Sequence, residues 1–379
     1  MLASFNLRPA VTSLGPVLRE VVNGAALTPA QASALATLPA LCFGLFAPVA
    51  PPLARRFGME RTVLAMLLIL ALGTALRVAE TRWSLFVGAV LAGGAIGVVN
   101  VLLPGLVKRD FADRVALMTG LYTMTLSIGA AGAAGASVPL ARAFGSWGAS
   151  LAVWAVPALL AAVVMVFTLP ADFRAPARRG GGLWRSPLAW QVTLLMGFQS
   201  AVTYCTFDWL APILRDRGLS AVSAGLVLSL SVLVQVGSTL GGAPFAQLFR
   251  DQRLPTALCL IVGTTGFLGC VYAPLPLVWV SAVVMGLGQG AVFPIALMII
   301  VLRAPDTATA ARLSGMAQAV GYVIAALAPF VVGLAHQRAG DWRATGPLII
   351  LYTAIGIAAG LGAGRLVMVD SGVQRPSVR

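Results

Sequence analysis

Twelve apolar runs, each long enough to cross a bilayer as a helix, follow one another along this chain with short, arginine-bearing connections between them. The hydrocarbon core of a bilayer takes about 20 residues of helix. Backbone inside lipid must satisfy its own hydrogen bonds, so helices are the natural reading of such runs. In the first half the runs cover residues 1–22, 29–53, 61–78, 83–107, 115–141 and 147–169; in the second they cover 187–214, 221–248, 254–273, 276–302, 313–337 and 345–369. A polar, Gly/Arg-rich connection, residues 170–186, separates the halves and reads as a flexible cytoplasmic linker. The expected fold is therefore all-α and integral to the membrane, with twelve transmembrane helices in two pseudo-symmetric six-helix bundles. Residues 1–169 would form the first bundle, and residues 187–379 the second with a short cytoplasmic tail.

Composition agrees with this reading. Of 379 residues, 59% are hydrophobic and only 10% charged, against about 25% charged in soluble chains. A soluble enzyme, a disordered chain and a disulfide scaffold are all excluded on this ground. The net charge of +14 has no basic face and no interleaved aromatics behind it, so no nucleic-acid partner is expected. The charge instead follows the positive-inside rule. With both termini cytoplasmic, 17 of the 26 basic residues fall on inner connections and eight on outer ones, Arg77 among the eight. Seven of the eight tryptophans, all but Trp154, lie near span ends, as an aromatic belt requires.

The halves carry a faint repeat. Gly93–Gly97 matches Gly286–Gly290 at an offset of 193 residues, Ser33-Ala34 matches Ser223-Ala224 at 190, and Gly120 matches Gly315 at 195. Parallel repeats are a recurring plan among transporters. Glycines four apart at Gly93/Gly97, Gly237/Gly241, Gly286/Gly290 and Gly356/Gly360 suggest close helix packing.

Enzymatic chemistry is not expected. His336 is the only histidine, which precludes a two-histidine metal site, and it reads as a helix-end residue. The four cysteines lie singly in apolar runs, and no Gly-Lys-Ser/Thr phosphate loop is present, so no metal and no cofactor are expected. The first run has no basic leader before it and is interrupted by Arg8 and Pro9, so it does not read as a signal peptide. From Met1 to Leu18 a helix rises only about 27 Å, which suggests additional residues upstream.

Arg8 is the sharpest functional signal, since an arginine near mid-span costs about 2.5–3.5 kcal/mol on insertion scales. It reads either as a contact for an anion or dipole of a substrate, or as a structural or snorkelling residue. Pro9 beside it frees a backbone carbonyl. Asp208, the one carboxylate well inside a run, reads either as a proton-coupling or outer-gate acid or as an interfacial acid paired with Arg215 or Arg217. Asn6, Asn100, Tyr122, Gln199, Tyr204, Gln235, Gln289, Gln318 and Tyr322 project polar groups from apolar runs. Each needs a partner, and together they suit a cavity that orients a small polar solute.

Twelve spans with a central loop and two parallel halves resemble the major facilitator superfamily. The superfamily's loop signature after the second span is partly present in residues 51–61, where Gly58 and the basic residues fit. Pro51 stands in place of the usual first glycine and Arg55 in place of the usual acid. NLRPAVTSLGP (6–16), GAIGVVNVLLPGLVKRDF (94–111), GLGQGAVFP (286–294), QAVGYVIAALAP (318–329) and Trp209-Leu210-Ala211-Pro212 resemble the cyanate/nitroimidazole permease family across essentially the whole chain. Asp208 falls where that family is usually apolar. The resemblance implies a monomeric secondary transporter of the bacterial inner membrane, working by alternating access. Its solute would be small and polar or anionic, of the cyanate kind, bound by Arg8, Asn6, Asn100, Tyr122, Gln199, Tyr204, Gln289 and Gln318. The alternative is a proton-driven exporter of nitroimidazole-like drugs, in which Asp208 takes the coupling role. A membrane sensor is the alternative of another class.

Overall fold

The computed structural model describes residues 1–168, 182–342 and 344–369. Most of the proposed linker and the C-terminal tail lie outside the described residues. Those described are helical throughout, without strands. The fold is the expected one: an all-α membrane protein of two six-helix bundles.

The first run is broken into pieces. It consists of α1 (Leu2–Phe5), α2 (Pro9–Thr12), a 3-10 turn (Gly15–Val17) and α3 (Leu18–Gly24). Pro9 has no N–H to return to Phe5, and Pro16 imposes a second break. The other spans of the first half are α4 (Pro29–Phe46) with α5 (Ala50–Phe57), α6 (Met59–Ala75), α7 (Arg82–Asp110), α8 (Val115–Phe144), and α9 (Trp147–Ala152) with α10 (Ala155–Thr168). The second half has α11 (Pro187–Asp216), α12 (Ala221–Gln247), α13 (Arg253–Tyr272), α14 (Val278–Arg303), α15 (Thr307–Ala339) and α16 (Thr345–Ala363).

Local chemistry sets several ends. Thr28 and Gln31 form a reciprocal capping box at the start of α4. Asp306 accepts from the Thr309 N–H at 2.8 Å to start α15. Gly58 turns the chain between α5 and α6 at φ 86°, a conformation that suits glycine.

Ten helices among the described residues are long and apolar enough to cross a membrane. The two remaining runs are the broken first and α11, which carry five of the eleven candidate residues: Asn6, Arg8, Gln199, Tyr204 and Asp208. Both are first in their halves. Along α10, Val156, Leu160, Val163, Val166 and Phe167 face outward, as a lipid-facing helix requires.

The repeat appears in the packing. A Cβ on Gly73 would crowd the Ala92 nitrogen and the Gly88 carbonyl, and one on Gly266 would crowd the Met285 nitrogen and the Ser281 carbonyl. Each of these pairs is separated by the same 193 residues. Likewise Gly93 and Gly97 bring α7 onto α4 at Pro39–Phe43, while Gly286 and Gly290 bring α14 onto α12 at Ser231–Ser238. Gly360 also serves as expected, against Thr256. Gly237 and Gly241 do not: a Cβ on either meets open space, and Gly242 makes the close contact, at Ala291.

By Cα proximity the chain forms two compact units, Met1–Leu106 with Leu121–Arg178, and Val107–Gly120 with Arg179–Arg379. In the first, Leu14, Val17, Val21, Leu35, Leu85 and Leu151 share an apolar core. In the second, Ile213, Leu214, Phe267, Met285, Val332 and Ile349 belong to the core cluster.

Candidate functional site

In the first unit the candidate residues gather at the break in the first run. Arg8 sits immediately before α2 with φ −116° and ψ −35°. Its guanidinium is half-buried and has no hydrogen bond or ion pair among the described residues. The structural-pair reading of Arg8 therefore finds no partner here. The backbone around it is held from three directions. Thr12 Oγ1 donates to the Arg8 carbonyl at 3.1 Å and reaches the Ala130 carbonyl of α8 at 3.0 Å. Asn6 Nδ2 donates to the Leu2 carbonyl at 2.8 Å and to the Pro157 carbonyl of α10 at 3.2 Å. Gly129 of α8 lies against the Phe5 carbonyl and the Pro9 ring.

Asn6 is thus chiefly a clamp on the broken helix, though its buried Oδ1 has no hydrogen-bond partner. Asn100 is half-buried on α7 and Tyr122 buried on α8; both have partners. Arg77 departs from expectation. It was expected on an outer connection, but it is buried at the end of the third span, where Nη1 donates to the Ala10 carbonyl at 2.6 Å.

In the second unit the polar groups satisfy one another. Gln289 Nε2 of α14 donates to Thr206 Oγ1 of α11 at 2.8 Å, and Gln235 Nε2 of α12 donates to Gln289 Oε1 at 3.4 Å. This network links three helices. Gln199 donates to Ser200 Oγ at 2.7 Å, and Gln318 to Ser314 Oγ at 2.8 Å, each within its own helix. Tyr204 is half-buried, its ring set edge-on to Phe207 at 6.5 Å. Gly197 of α11 meets Gly321 of α15, bringing together the helices that carry Gln199 and Gln318.

Asp208 is exposed and has no partner among the described residues. The alternative reading, a pair with Arg215 or Arg217, is not made, and Arg217 donates instead to the Cys270 and Ala273 carbonyls at the end of α13. His336 stacks on Trp342 at 3.6 Å near the end of α15, in keeping with a helix-end role. Trp209 Nε1 donates to the Pro329 carbonyl at 2.8 Å, its ring lying over Gly333. The four cysteines are buried thiols. Among the described residues no group of three His, Cys, Asp or Glu is placed to hold a metal ion.

Thr12, Thr206, Gly129 and Arg77 were not singled out from the sequence as site residues. Thr206 is polar in an apolar run and carried the same signal as Tyr204. Gly129 carried none, being one of several glycines in a small-residue helix.

The profile of the Major Facilitator Superfamily matches residues 1–329. The chain belongs to this superfamily. It is a multi-pass membrane protein of a transporter family, not an enzyme. Similar curated proteins include the 2-nitroimidazole transporter of Escherichia coli (strain K12), 38% identical over 96% of this chain and 94% of that protein. Another is the cyanate transport protein CynX of the same organism, 29% identical over 90% of each. Among solved structures, the E. coli fucose:proton symporter FucP superposes with a TM-score of 0.78 at 15% identity, covering 96% of this chain and 98% of that one. That likeness concerns the fold alone.

Proposed function

We propose that this superfamily member is a secondary active transporter that moves a small polar or anionic solute across the bacterial cytoplasmic membrane. It would do so by alternating access of two bundles, residues 1–169 and 187–379, with both termini cytoplasmic. Arg8 is the solute's charge-bearing contact. The observation that carries this reading is the half-buried Arg8 guanidinium, without a partner among the described residues. An unpaired cation at a helix break in a membrane span is costly unless it meets water or an electron-rich group. Its planar fork suits small solutes with acceptor oxygens or nitrogens.

Within the superfamily the chain is grouped here with the cyanate and nitroimidazole permeases. The names of its relatives support that grouping. Cyanate and a nitroimidazole differ in charge, yet both present acceptor atoms to a guanidinium. Gln199, Gln289 and Gln318 would orient the solute after breaking their present hydrogen bonds, together with Asn100, Tyr122 and Tyr204, and Asn6 would offer its unsatisfied Oδ1. The second reading, proton-driven export of a nitroimidazole-like drug, is favoured by the 38% identity to the 2-nitroimidazole transporter.

Counterflow in proteoliposomes separates the two. Cyanate and 2-nitroimidazole are offered separately to the wild type and to Arg8→Gln, with insertion checked in each. Cyanate exchange that falls at least tenfold in the variant supports the first reading. Exchange of 2-nitroimidazole alone, indifferent to Arg8, supports the second. Wild-type rates for Arg8→Gln with both solutes remove Arg8 from the site.

A further inference from the structure

Arg77 is only 3% exposed, yet just one of its hydrogen bonds is accounted for. A guanidinium has five N–H donors. Nη1 takes the Ala10 carbonyl, and the remaining donors have no partner among the described residues. The acid nearest in sequence is committed elsewhere: Glu80 Oε1 accepts from Ser146 Oγ at 2.5 Å and from the Gly148 N–H at 2.9 Å. A buried cation left this way carries a desolvation cost that no protein charge offsets.

Beside it is a cavity of about 70 Å³, lined by Arg77, Ala10, Leu14, Gly15, Leu35 and Ala89 among others. One water needs about 10–15 Å³ by this kind of measure, so the space holds more than a single water. A Cβ on Gly15 would meet nothing within 4 Å, which marks the open side of the cavity. Apart from the guanidinium, the named walls are apolar. They offer one positive charge and few groups to replace a tightly held hydration shell, a setting that penalises strongly hydrated or multiply charged ions.

We propose that this cavity is a second anion site, in which Arg77 binds a small, weakly hydrated monovalent anion against the broken first span. Thiocyanate, iodide and nitrate are of this class. The anion takes the free N–H donors of Arg77, while Nη1 keeps the Ala10 carbonyl. The site therefore lies where the end of the third span is already tied to α2, two residues from Arg8. The site does not depend on Arg8 being the solute contact.

The test is equilibrium binding of radiolabelled thiocyanate to the purified full-length protein in detergent, in an Arg8→Gln background so that only the second site is read. One saturable equivalent is expected. Adding Arg77→Gln is expected to weaken it at least tenfold. Adding Ala89→Leu, which enlarges a buried lining residue while keeping the guanidinium, is expected to do the same, so the test survives misfolding of the arginine variant. Monodispersity on size exclusion confirms the fold of each variant. No saturable binding in the Arg8→Gln protein overturns the proposal, as does binding that either well-folded double variant leaves unchanged. Arg8 itself is judged by transport, so the two assignments fail separately.

Discussion

Gly129 of α8 lies so close to the Phe5 carbonyl that a Cβ at this position would overlap it. Phe5 is the residue whose carbonyl loses its helical donor to Pro9. The break in the first span and the small residue opposite it therefore form one feature. Gly129→Ala is expected to overpack this junction and cost about 1–3 kcal/mol. Gly132 and Gly135 on the same helix face open space, so alanine there is expected to leave stability unchanged or raise it. Thermal unfolding of the three variants in detergent checks the contrast, and equal effects would remove the special role of Gly129.

The repeated glycine contacts make a paired prediction. Gly93→Val should push α7 off α4, and Gly286→Val should push α14 off α12, with similar loss of thermal stability. Gly237→Ala and Gly241→Ala should be nearly silent, because nothing lies within 4 Å of the added carbon. Expression and melting temperature measured side by side decide this.

Arg303 stitches the end of the second unit. Nε donates to the Ala363 carbonyl at 2.9 Å and Nη2 to the Gly364 carbonyl at 3.0 Å, with Gln252 Oε1 also bound. These carbonyls lie at the C-terminal end of α16, where a cation is also favoured by the helix dipole. Arg303→Met leaves the Ala363 carbonyl and Gln252 Oε1 without this donor, while the Gly364 carbonyl keeps the Gln252 N–H at 3.2 Å, and is expected to cost about 2–4 kcal/mol. Arg303→Lys should recover only part of this, since a point charge does not reproduce the fork. Thermal unfolding of both variants reads the difference.

Asp208 is exposed and unpartnered among the described residues. Under the solute-permease reading, Asp208→Asn should change transport by less than twofold and leave its pH profile intact. A profile that flattens in this variant would transfer the coupling role to Asp208 and favour the drug-export reading. Uptake measured across a series of external pH values settles the choice.

The number of spans, their division into halves and the membrane setting were legible in the chain because hydropathy belongs to contiguous residues. Arg8 and Pro9 also stood out locally, being respectively charged and helix-breaking within an apolar run. The register of 193 residues was visible in Gly93–Gly97 and Gly286–Gly290, and the structure adds Gly73 and Gly266 at the same offset. Spacing alone misread Gly237 and Gly241, because it says that two small residues share a helix face but not what that face meets.

Partnership was decided by the tertiary structure. Thr12 reaches a carbonyl 118 residues away, Arg77 one 67 residues back, and Gln289 a hydroxyl 83 residues away. Such pairs depend on which faces of distant helices are pressed together. Lipid offers no hydrogen-bonding alternative, so a polar side chain in a span is driven to a partner without its sequence saying which one. Local sequence therefore determined that this chain crosses the membrane and where a charge interrupts it. The packing of the helices alone decided that Arg8 is left without a partner among the described residues and that Arg77 is turned inward beside a cavity.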